Sequence, residues 1–160
     1  MGLHHVGLRV TDLDRSTAFY QALGGEILTA PFELSGRGAA LAMTAPPSTR
    51  IRIALLGFRD GGGVELFDFG AGDQPSWLAG SLPSRDARLP HVGIQVDDVD
   101  DALERAERAG GARLWPRPSF WGTVRVVYLR DPDGNVVELL DGPLTEVAAA
   151  ADRSRAAPGG

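Results

Sequence analysis

Four side chains able to bind a metal ion recur at matched places in this chain of 160 residues. Two of its three histidines, His5 and His91, begin short alternating stretches typical of a strand. Two glutamates, Glu65 and Glu138, stand inside later Val-Glu-Leu segments. Two imidazoles and two carboxylates suit one divalent ion, among Mn²⁺, Fe²⁺, Co²⁺, Ni²⁺ and Zn²⁺. An ion held in this way would keep open positions for a substrate with adjacent oxygens.

An internal repeat positions these four residues. The stretch 5–14 matches 91–100, and the stretch 59–68 matches 131–141 with one residue of slack in the turn. Asp-rich segments able to cap a helix follow the first strand of each repeat, and Gly-Gly pairs able to end that helix come ten residues or so later. Each half therefore reads as strand, helix, strand, strand, turn and strand.

Strand parity predicts where the four candidate ligands point. In each strand the aliphatic residues occupy alternate positions and are expected to face the helix layer, so each candidate ligand faces the opposite way. A lone histidine in a strand is more often structural than a ligand. Four ligand-type residues related by a repeat instead predict one concave site, where a cation offsets the cost of burying carboxylates.

The repeat also predicts the domain organisation. We expect a first module at 1–70, a linker at 71–89, a second module at 90–142 and a partly disordered tail at 143–160. The first module is 13 residues longer between its histidine and glutamate, and the surplus falls at 30–49. A surface insertion and a lid over the site are both compatible with this stretch.

Composition excludes several classes of function. The chain has no cysteine, so thiolate metal sites, disulfides and cysteine nucleophiles are absent. None of its 16 basic residues is a lysine, which removes Schiff-base chemistry. A net charge of −5 with scattered arginines does not indicate nucleic-acid binding. No apolar run is long enough to span a bilayer and the start does not resemble a signal peptide, so we expect a cytoplasmic protein without a membrane partner.

A further set of residues is expected to bind a small-molecule substrate. Three arginines and one glutamine lie opposite the aliphatic face of their strands, namely Arg9, Arg52, Arg125 and Gln95. Salt bridges are the commoner role of strand arginines, but one arginine in the pocket would favour an anionic substrate. Phe120 and Trp121, in a predicted loop before a strand, are candidates for an apolar wall.

The chain resembles the vicinal oxygen chelate superfamily, which includes glyoxalase I, metal-dependent epimerases, extradiol dioxygenases and antibiotic-resistance proteins. The resemblance rests on the paired modules, the His-Val opening, the Asp-Leu-Asp helix start and the motif at 131–139, and it covers about residues 3–142. It implies an α+β fold in which paired βαβββ modules form a curved, half-open barrel sheet with helices outside. It also implies that the four candidate ligands bind one metal ion, as in glyoxalase I and metal-dependent epimerases, and that the protein is a homodimer.

The preferred chemistry is proton transfer next to a carbonyl. A divalent ion polarises the carbonyl, and a glutamate within hydrogen-bond reach of the neighbouring carbon takes its proton. Because Glu65 and Glu138 stand on opposite sides of a pseudo-symmetric site, one can remove a proton and the other return it. These features predict an isomerase or epimerase, with both glutamates as catalytic candidates.

Three alternatives stay open from the sequence. The first is a glyoxalase-type lyase with the same ligands. The second is an extradiol-type Fe²⁺ dioxygenase that uses only His5, His91 and Glu138 as a facial triad. The third is a metal-free antibiotic-binding protein, which has no need for four ligand-type residues. Glu65 discriminates between these alternatives, because as a fourth ligand it argues against the dioxygenase.

Overall fold

The computed structural model describes residues 4–36, 48–59, 61–70 and 91–156, with the backbone alone at 121 and 151–156. The chain divides into two compact units, residues 1–89 and 90–160. The predicted linker at 71–89 and most of the surplus at 30–49 lie outside the described residues.

The first unit has one helix and one four-stranded sheet among its described residues. Its elements are β1 (Val6–Val10), α1 (Leu13–Ala22), β2 (Glu26–Ser35), β3 (Arg50–Gly57) and β4 (Gly63–Asp68). The strand order is β1-β4-β3-β2, in which β1 and β4 are parallel and the other neighbours are antiparallel. The predicted order of elements is confirmed. Part of the surplus at 30–49 lengthens β2, which runs to Ser35.

The second unit repeats this arrangement. Its elements are β5 (Val92–Gln95), α2 (Val99–Arg108), β6 (Ala112–Arg113), β7 (Ser119–Trp121), β8 (Val124–Arg130), β9 (Val136–Leu140) and α3 (Leu144–Ala156). The order is β5-β9-β8-β6, and β7 also pairs with β8, so two short strands replace the long β2 of the first unit. Two open mixed sheets with flanking helices confirm the α+β fold class.

Matched aspartates begin the two main helices. The Asp12 side chain accepts a hydrogen bond from Arg15 N at 3.0 Å, and the Asp98 side chain accepts one from Asp101 N at 2.9 Å. Each caps a helix N-terminus, where amide groups lack partners inside the helix. The buried faces that dock these helices on their sheets consist of Leu13, Phe19 and Tyr20 in α1 and of Val99, Leu103 and Ala106 in α2.

The tail, which was expected to be partly disordered, begins with a helix of 13 residues, α3. Residues 157–160, to which the expectation of disorder also applies, lie outside the described residues. Among the described residues, no helix is long and apolar enough to cross a membrane.

Glycine turns fix the register of the last hairpin in each unit. Gly61 and Gly134 both have φ of +89°, which residues with a Cβ rarely adopt. In the second unit the Asp131 carboxylate accepts hydrogen bonds from Asp133 N at 3.0 Å and Asn135 N at 2.8 Å. These turns place each glutamate opposite a defined residue of the preceding strand.

Candidate metal centre

The first candidate pair joins β1 to β4. Gly7 lies beside Glu65 in the parallel register, and His5 precedes Gly7 by two residues on the same face. His5 Nε2 lies 3.1 Å from Glu65 Oε2. The side chains are 38% and 20% exposed, so the pair is open to solvent on one side.

The second pair occupies the equivalent place in the other unit. Gly93 lies beside Glu138 in the register of β5 and β9. His91 Nε2 lies 3.2 Å from Glu138 Oε2, and the side chains are 36% and 11% exposed. The prediction that each histidine shares a face with the glutamate of its own module is therefore confirmed within each unit.

Burial along the strands agrees with the predicted parity of the ligand-bearing strands. The residues that flank or alternate with the ligands are buried on the helix-covered side, namely Leu8, Val10, Val64, Leu66, Ile94, Val137 and Leu139. We call the opposite side, which carries the histidine and the glutamate, the ligand face of each sheet.

His4 supports the first pair, a role that the parity argument missed. Its Nδ1 lies 2.7 Å from His5 Nδ1, and the two rings meet edge to face with centroids 5.0 Å apart. Because His5 uses Nδ1 toward His4, its Nε2 is directed at Glu65. Contacts of this kind commonly orient a ligating imidazole.

Tyr128 supports the second pair and was likewise missed. It lies opposite Glu138 in the β8–β9 register, and its hydroxyl donates a hydrogen bond of 2.5 Å to Glu138 Oε1. Burial, together with this bond to a carboxylate, raises the pKa of the phenol, so Tyr128 remains a donor at neutral pH. Its ring packs against His91, with centroids 5.4 Å apart, and against Trp115 at 4.7 Å.

The sequence contains a signal for the cross-strand pairing of each glutamate. Tyr128 and Glu138 are equally far from Asp133, and Leu55 and Glu65 are equally far from Asp60. Counting outward from the turns would have paired each glutamate with its partner. The contact of Trp115 with Tyr128 has no comparable signal, because the chain between β6 and β7 is irregular.

The donor separations fit neighbouring ligands on one metal ion. Two ligands at adjacent positions of an octahedral ion, with bonds of about 2.1 Å, lie about 3.0 Å apart. The separations of 3.1 and 3.2 Å are close to this value, and they equally fit hydrogen bonds between imidazole and carboxylate. Within the part of the chain that the structure describes, no group of three or more His, Asp or Glu side chains is placed to hold a metal ion. Each unit therefore presents two converging donors.

Two of the predicted substrate-binding residues lie on the ligand faces. Arg9 is paired in register with Phe67, two residues beyond Glu65, and its side chain is exposed. Gln95 is paired with Leu140, two residues beyond Glu138, and is also exposed. Their predicted orientation is confirmed within each unit.

The predicted orientation of Arg52 is wrong. The β3–β4 register pairs Ile53 with Phe67, which shares the ligand face with Glu65, so Arg52 lies on the α1 side. There Arg52 Nη2 lies 3.0 Å from Asp14 Oδ1, and Nη1 lies 3.9 Å from a carboxylate oxygen of Asp68. Strand parity does not predict this orientation, because the ligand face of β3 has an apolar core of its own, formed by Ile51, Ile53 and Phe69 with Leu34, Leu55 and Phe67.

The predicted orientation of Arg125 is wrong for the same reason. Its neighbours Val124 and Val126 are buried on the ligand face of β8, so Arg125 lies on the α2 side. Arg125 Nη2 lies 2.6 Å from Asp100 Oδ2, and this hydrogen bond raises the pKa of the guanidinium.

The predicted loop at residues 120 and 121 is also wrong. Ser119–Trp121 forms β7, in which Phe120 pairs with Arg125 and Trp121 with Val124. Phe120 therefore shares the α2 side with Arg125, and it is 63% exposed. The Trp121 side chain lies outside the described part of the structure.

Comparisons with known proteins agree with the architecture. The family model described as glyoxalase/bleomycin resistance protein/dioxygenase superfamily matches residues 2–139. A probable lactoylglutathione lyase of Vibrio cholerae is 29% identical over 141 residues, which are 85% of this chain and 87% of that protein.

Solved structures give the same result. A glyoxalase family protein from Bacillus cereus superimposes with a TM-score of 0.70 at 19% identity, covering 88% of this chain and 93% of the other. A variant of the fosfomycin resistance protein FosX from Listeria monocytogenes gives a TM-score of 0.57 at 25% identity, covering 91% and 94%. That protein was crystallised with Mn(II) and a dihydroxypropylphosphonic acid.

Proposed function

This chain belongs to the glyoxalase/bleomycin resistance protein/dioxygenase superfamily, and we propose that it is a divalent-metal-dependent lyase for 2-hydroxyacyl thioesters of the lactoylglutathione kind. The observation that carries the proposal is the repeated His–Glu pair, with Nε2 to Oε2 separations of 3.1 and 3.2 Å. Because pairs with a supporting ring contact recur at the same register position of the two repeats, a shared chemical role is favoured over two unrelated hydrogen bonds.

The relatives favour a lyase over the isomerase or epimerase preferred from the sequence. A probable lactoylglutathione lyase of Vibrio cholerae and a lactoylglutathione lyase of Haemophilus influenzae are 29% and 28% identical to this chain, over 87% and 96% of their own lengths. A glyoxalase-type lyase was the first alternative from the sequence, and it uses the same ligands and the same proton transfer. The reaction class changes, whereas the assignment of residues does not.

The metal ligands in this proposal come from the two His–Glu pairs. Each pair offers one imidazole nitrogen and one carboxylate oxygen to a divalent ion, which leaves positions open for substrate. The Mn(II) in the related FosX structure supports a divalent ion in this fold. When bound, the ion polarises the carbonyl of the substrate and makes its neighbouring carbon more acidic.

The substrate class follows from the oxygens that such a centre can bind. A lactoyl thioester has a hydroxyl and a carbonyl oxygen on adjacent carbons. A glutamate takes the proton from the hydroxyl-bearing carbon, and the C–H electron pair moves toward the carbonyl carbon and oxygen. The same proton returns to the former carbonyl carbon, and the proton of the substrate hydroxyl passes to the former carbonyl oxygen, giving a hemithioacetal that separates into a thiol and a 2-oxoaldehyde. Atoms and electrons balance without an oxidant or a second substrate.

The ligand faces also offer groups for the rest of the substrate. No acidic side chain among the described residues pairs with Arg9, whereas Arg52 and Arg125 are engaged by Asp14 and Asp100. Glutathione carries carboxylates that a guanidinium binds well. We assign Arg9 to an anionic group of the substrate and Gln95 to a neutral hydrogen bond.

The test is metal-dependent formation of thioester. Metal-free protein is incubated with each of the five candidate ions, then with glutathione and a 2-oxoaldehyde, and the thioester is followed by ultraviolet absorbance. We expect activity with at least one ion, and its loss in the His91→Ala variant. The Glu104→Gln variant, altered on the exposed side of α2, is the control and should match the unaltered protein. Metal binding without thioester formation would contradict the lyase.

A further inference from the structure

A cavity of about 290 Å³ opens at the edge of the first sheet where β2 and β4 end and β3 begins. Its volume is at the lower end of the range for small-molecule sites, about 300–1,000 Å³. Its charged lining residues are Glu33, Arg50, Arg52 and Asp68, and Phe69, which is only 3% exposed, adds an apolar wall. A small cavity with few charged groups and an apolar wall has the make-up of a site for a small polar ligand.

Strand register places the four charged side chains on one face of the sheet. Glu33 of β2 and Asp68 of β4 lie directly opposite Arg52 of β3, one on each side. Arg50 precedes Arg52 by two residues and therefore shares its face. This is the α1 side of the sheet, so the cavity is separate from the ligand face of this unit. Two positive and two negative groups line it, and such a lining is complementary to a ligand that carries both charges.

Asp68 has one carboxylate oxygen available to a ligand. Gly70 N donates a hydrogen bond of 2.8 Å to Oδ1. The closest described donor to Oδ2 is Arg52 Nη1 at 3.9 Å, beyond hydrogen-bond distance, because Arg52 Nη2 is held by Asp14 at 3.0 Å. The Asp68 side chain is only 12% exposed, and a carboxylate so little hydrated gains from a charged donor.

Arg50 has donors available for an anionic group. Its Nη1 lies 3.1 Å from Glu33 Oε1, and no acceptor in the described part of the chain binds Nε or Nη2. These two nitrogens form one side of the guanidinium, a geometry that binds both oxygens of a carboxylate. The Arg50 side chain is 77% exposed, so a ligand can reach it.

The internal repeat shows that the fold does not require this set of charges. On β8 the counterpart of the central β3 arginine is Arg125, which lies opposite Phe120 where the first sheet has Glu33. Two residues before Arg125 the second unit has Thr123, where the first unit has Arg50. The second acid and the second arginine are therefore features of the first unit alone, which favours a role in binding over a role in folding.

We propose that this cavity binds a free α-amino acid, with its ammonium group on Asp68 and its carboxylate on Arg50. The ammonium supplies the charge-assisted hydrogen bond that Asp68 Oδ2 lacks, and the carboxylate binds Nε and Nη2 of Arg50. Asp68 and Arg50 are diagonal neighbours across β3 and β4, a separation of about 7–8 Å between backbones that a long side chain spans. The side chain of the amino acid lies against Phe69. The site needs neither a metal ion nor the second unit, so it is independent of the proposed lyase.

The test begins with metal-free, full-length protein and the common L-amino acids, screened one at a time by ligand-observed NMR. Calorimetry then compares the tightest binder with its N-acetyl derivative, which lacks the ammonium, and its amide, which lacks the carboxylate. We expect each derivative to bind about 10- to 100-fold more weakly, because each loses one charge-assisted hydrogen bond. Asp68→Asn and Arg50→Ala should weaken binding of the amino acid by the same factor. Arg108→Ala, which removes an arginine paired with Glu104 on the exposed surface of α2, is the control and should bind as the unaltered protein does.

Three results would overturn the proposal. The first is the absence of binding by any common amino acid at millimolar concentration. The second is equal binding of the N-acetyl derivative, which would make the cavity a site for simple anions. The third is an unchanged dissociation constant in Arg50→Ala. Circular dichroism shows whether each variant is folded, and the exposure of Arg50 makes its removal a test that does not depend on the buried Asp68.

Discussion

Arg125 reaches from β8 to the first turn of α2, where its Nη2 lies 2.6 Å from Asp100 Oδ2. The first unit has the same contact, since Arg52 Nη2 on β3 lies 3.0 Å from Asp14 Oδ1 at the start of α1. Both pairs are partly exposed, so their contribution to stability is small. These contacts matter for substrate recognition instead, because they hold both guanidinium groups on the helix side, away from a substrate on the ligand face.

Replacing Arg9 is therefore expected to affect substrate binding far more than replacing Arg125. Removal of one charge-assisted hydrogen bond costs about 1.5–3 kcal/mol, or roughly a 10- to 100-fold rise in KM. We expect that rise in Arg9→Ala, partial recovery in Arg9→Lys, and a change of less than about twofold in Arg125→Ala. Steady-state kinetics with the thioester substrate measure all three. A larger rise in Arg125→Ala than in Arg9→Ala would contradict the face assignments.

Much of the fold and the four candidate ligands could be predicted because they depend on local patterns. The repeated His-Val start and Val-Glu-Leu end locate the ligand strands, and β1 and β5 have a clean alternation that orients Arg9 and Gln95. The caps at Asp12 and Asp98 follow from local chemistry as well. None of these features depends on which distant segments cover the sheet.

The faces of β3 and β8 could not be predicted by the same reasoning. Alternation orients a strand only when one face is apolar, and both strands bury residues on both sides. Val126 and Val127 are adjacent and both fully buried, as are Ile53 and Ala54. The orientation of β3 and β8 is set by their register with β4 and β9. That register depends on both strands of each pair and cannot be taken from the sequence of one strand.

Removal of metal should abolish activity and lower the melting temperature reversibly. A ligand at about 100 times its dissociation constant stabilises the folded state by about 2.7 kcal/mol. We expect dialysis against a chelator to lower the Tm of the unaltered protein and the addition of metal to restore both Tm and activity. In His91→Ala, the added ion should leave Tm unchanged. Differential scanning calorimetry gives the result, and a metal-induced rise in Tm of that variant would place the ion elsewhere.

The caps of the two main helices should contribute equally to stability. Asp98 is the N-cap of α2, and removal of its acceptor by Asp98→Ala leaves the amide of Asp101 without its partner. We expect the free energy of unfolding to fall by about 1 kcal/mol, and by a similar amount in Asp12→Ala. Urea denaturation measures both, with Glu104→Ala as the control. An effect no larger than that of the control would show that water replaces the cap without cost.

The glycines beside the two glutamates should respond oppositely to alanine. A Cβ at Gly7 would lie 3.1 Å from Phe67 Cε2, whereas one at Gly93 would meet nothing closer than 3.6 Å. Phe67 cannot yield freely, because its ring is stacked on Phe69, which is 3% exposed. We therefore expect Gly7→Ala to lower the free energy of unfolding by about 1 kcal/mol, since overpacking outweighs the gain from replacing a glycine in a strand.

At Gly93 there is no overpacking to offset the gain from replacing a glycine in a strand. Gly93→Ala should therefore raise the free energy of unfolding by about 0.5 kcal/mol. Its Cβ would lie 3.8 Å from Glu138 Oε2, an ordinary contact that leaves the carboxylate in place. Activity should therefore persist in Gly93→Ala and fall in Gly7→Ala, where the displaced Phe67 ring lies beside the strand position of Glu65. Urea denaturation and thioester assays on the two variants check the pair of outcomes, and equal stabilities would show that the Phe67 ring moves more easily than its stacking on Phe69 implies.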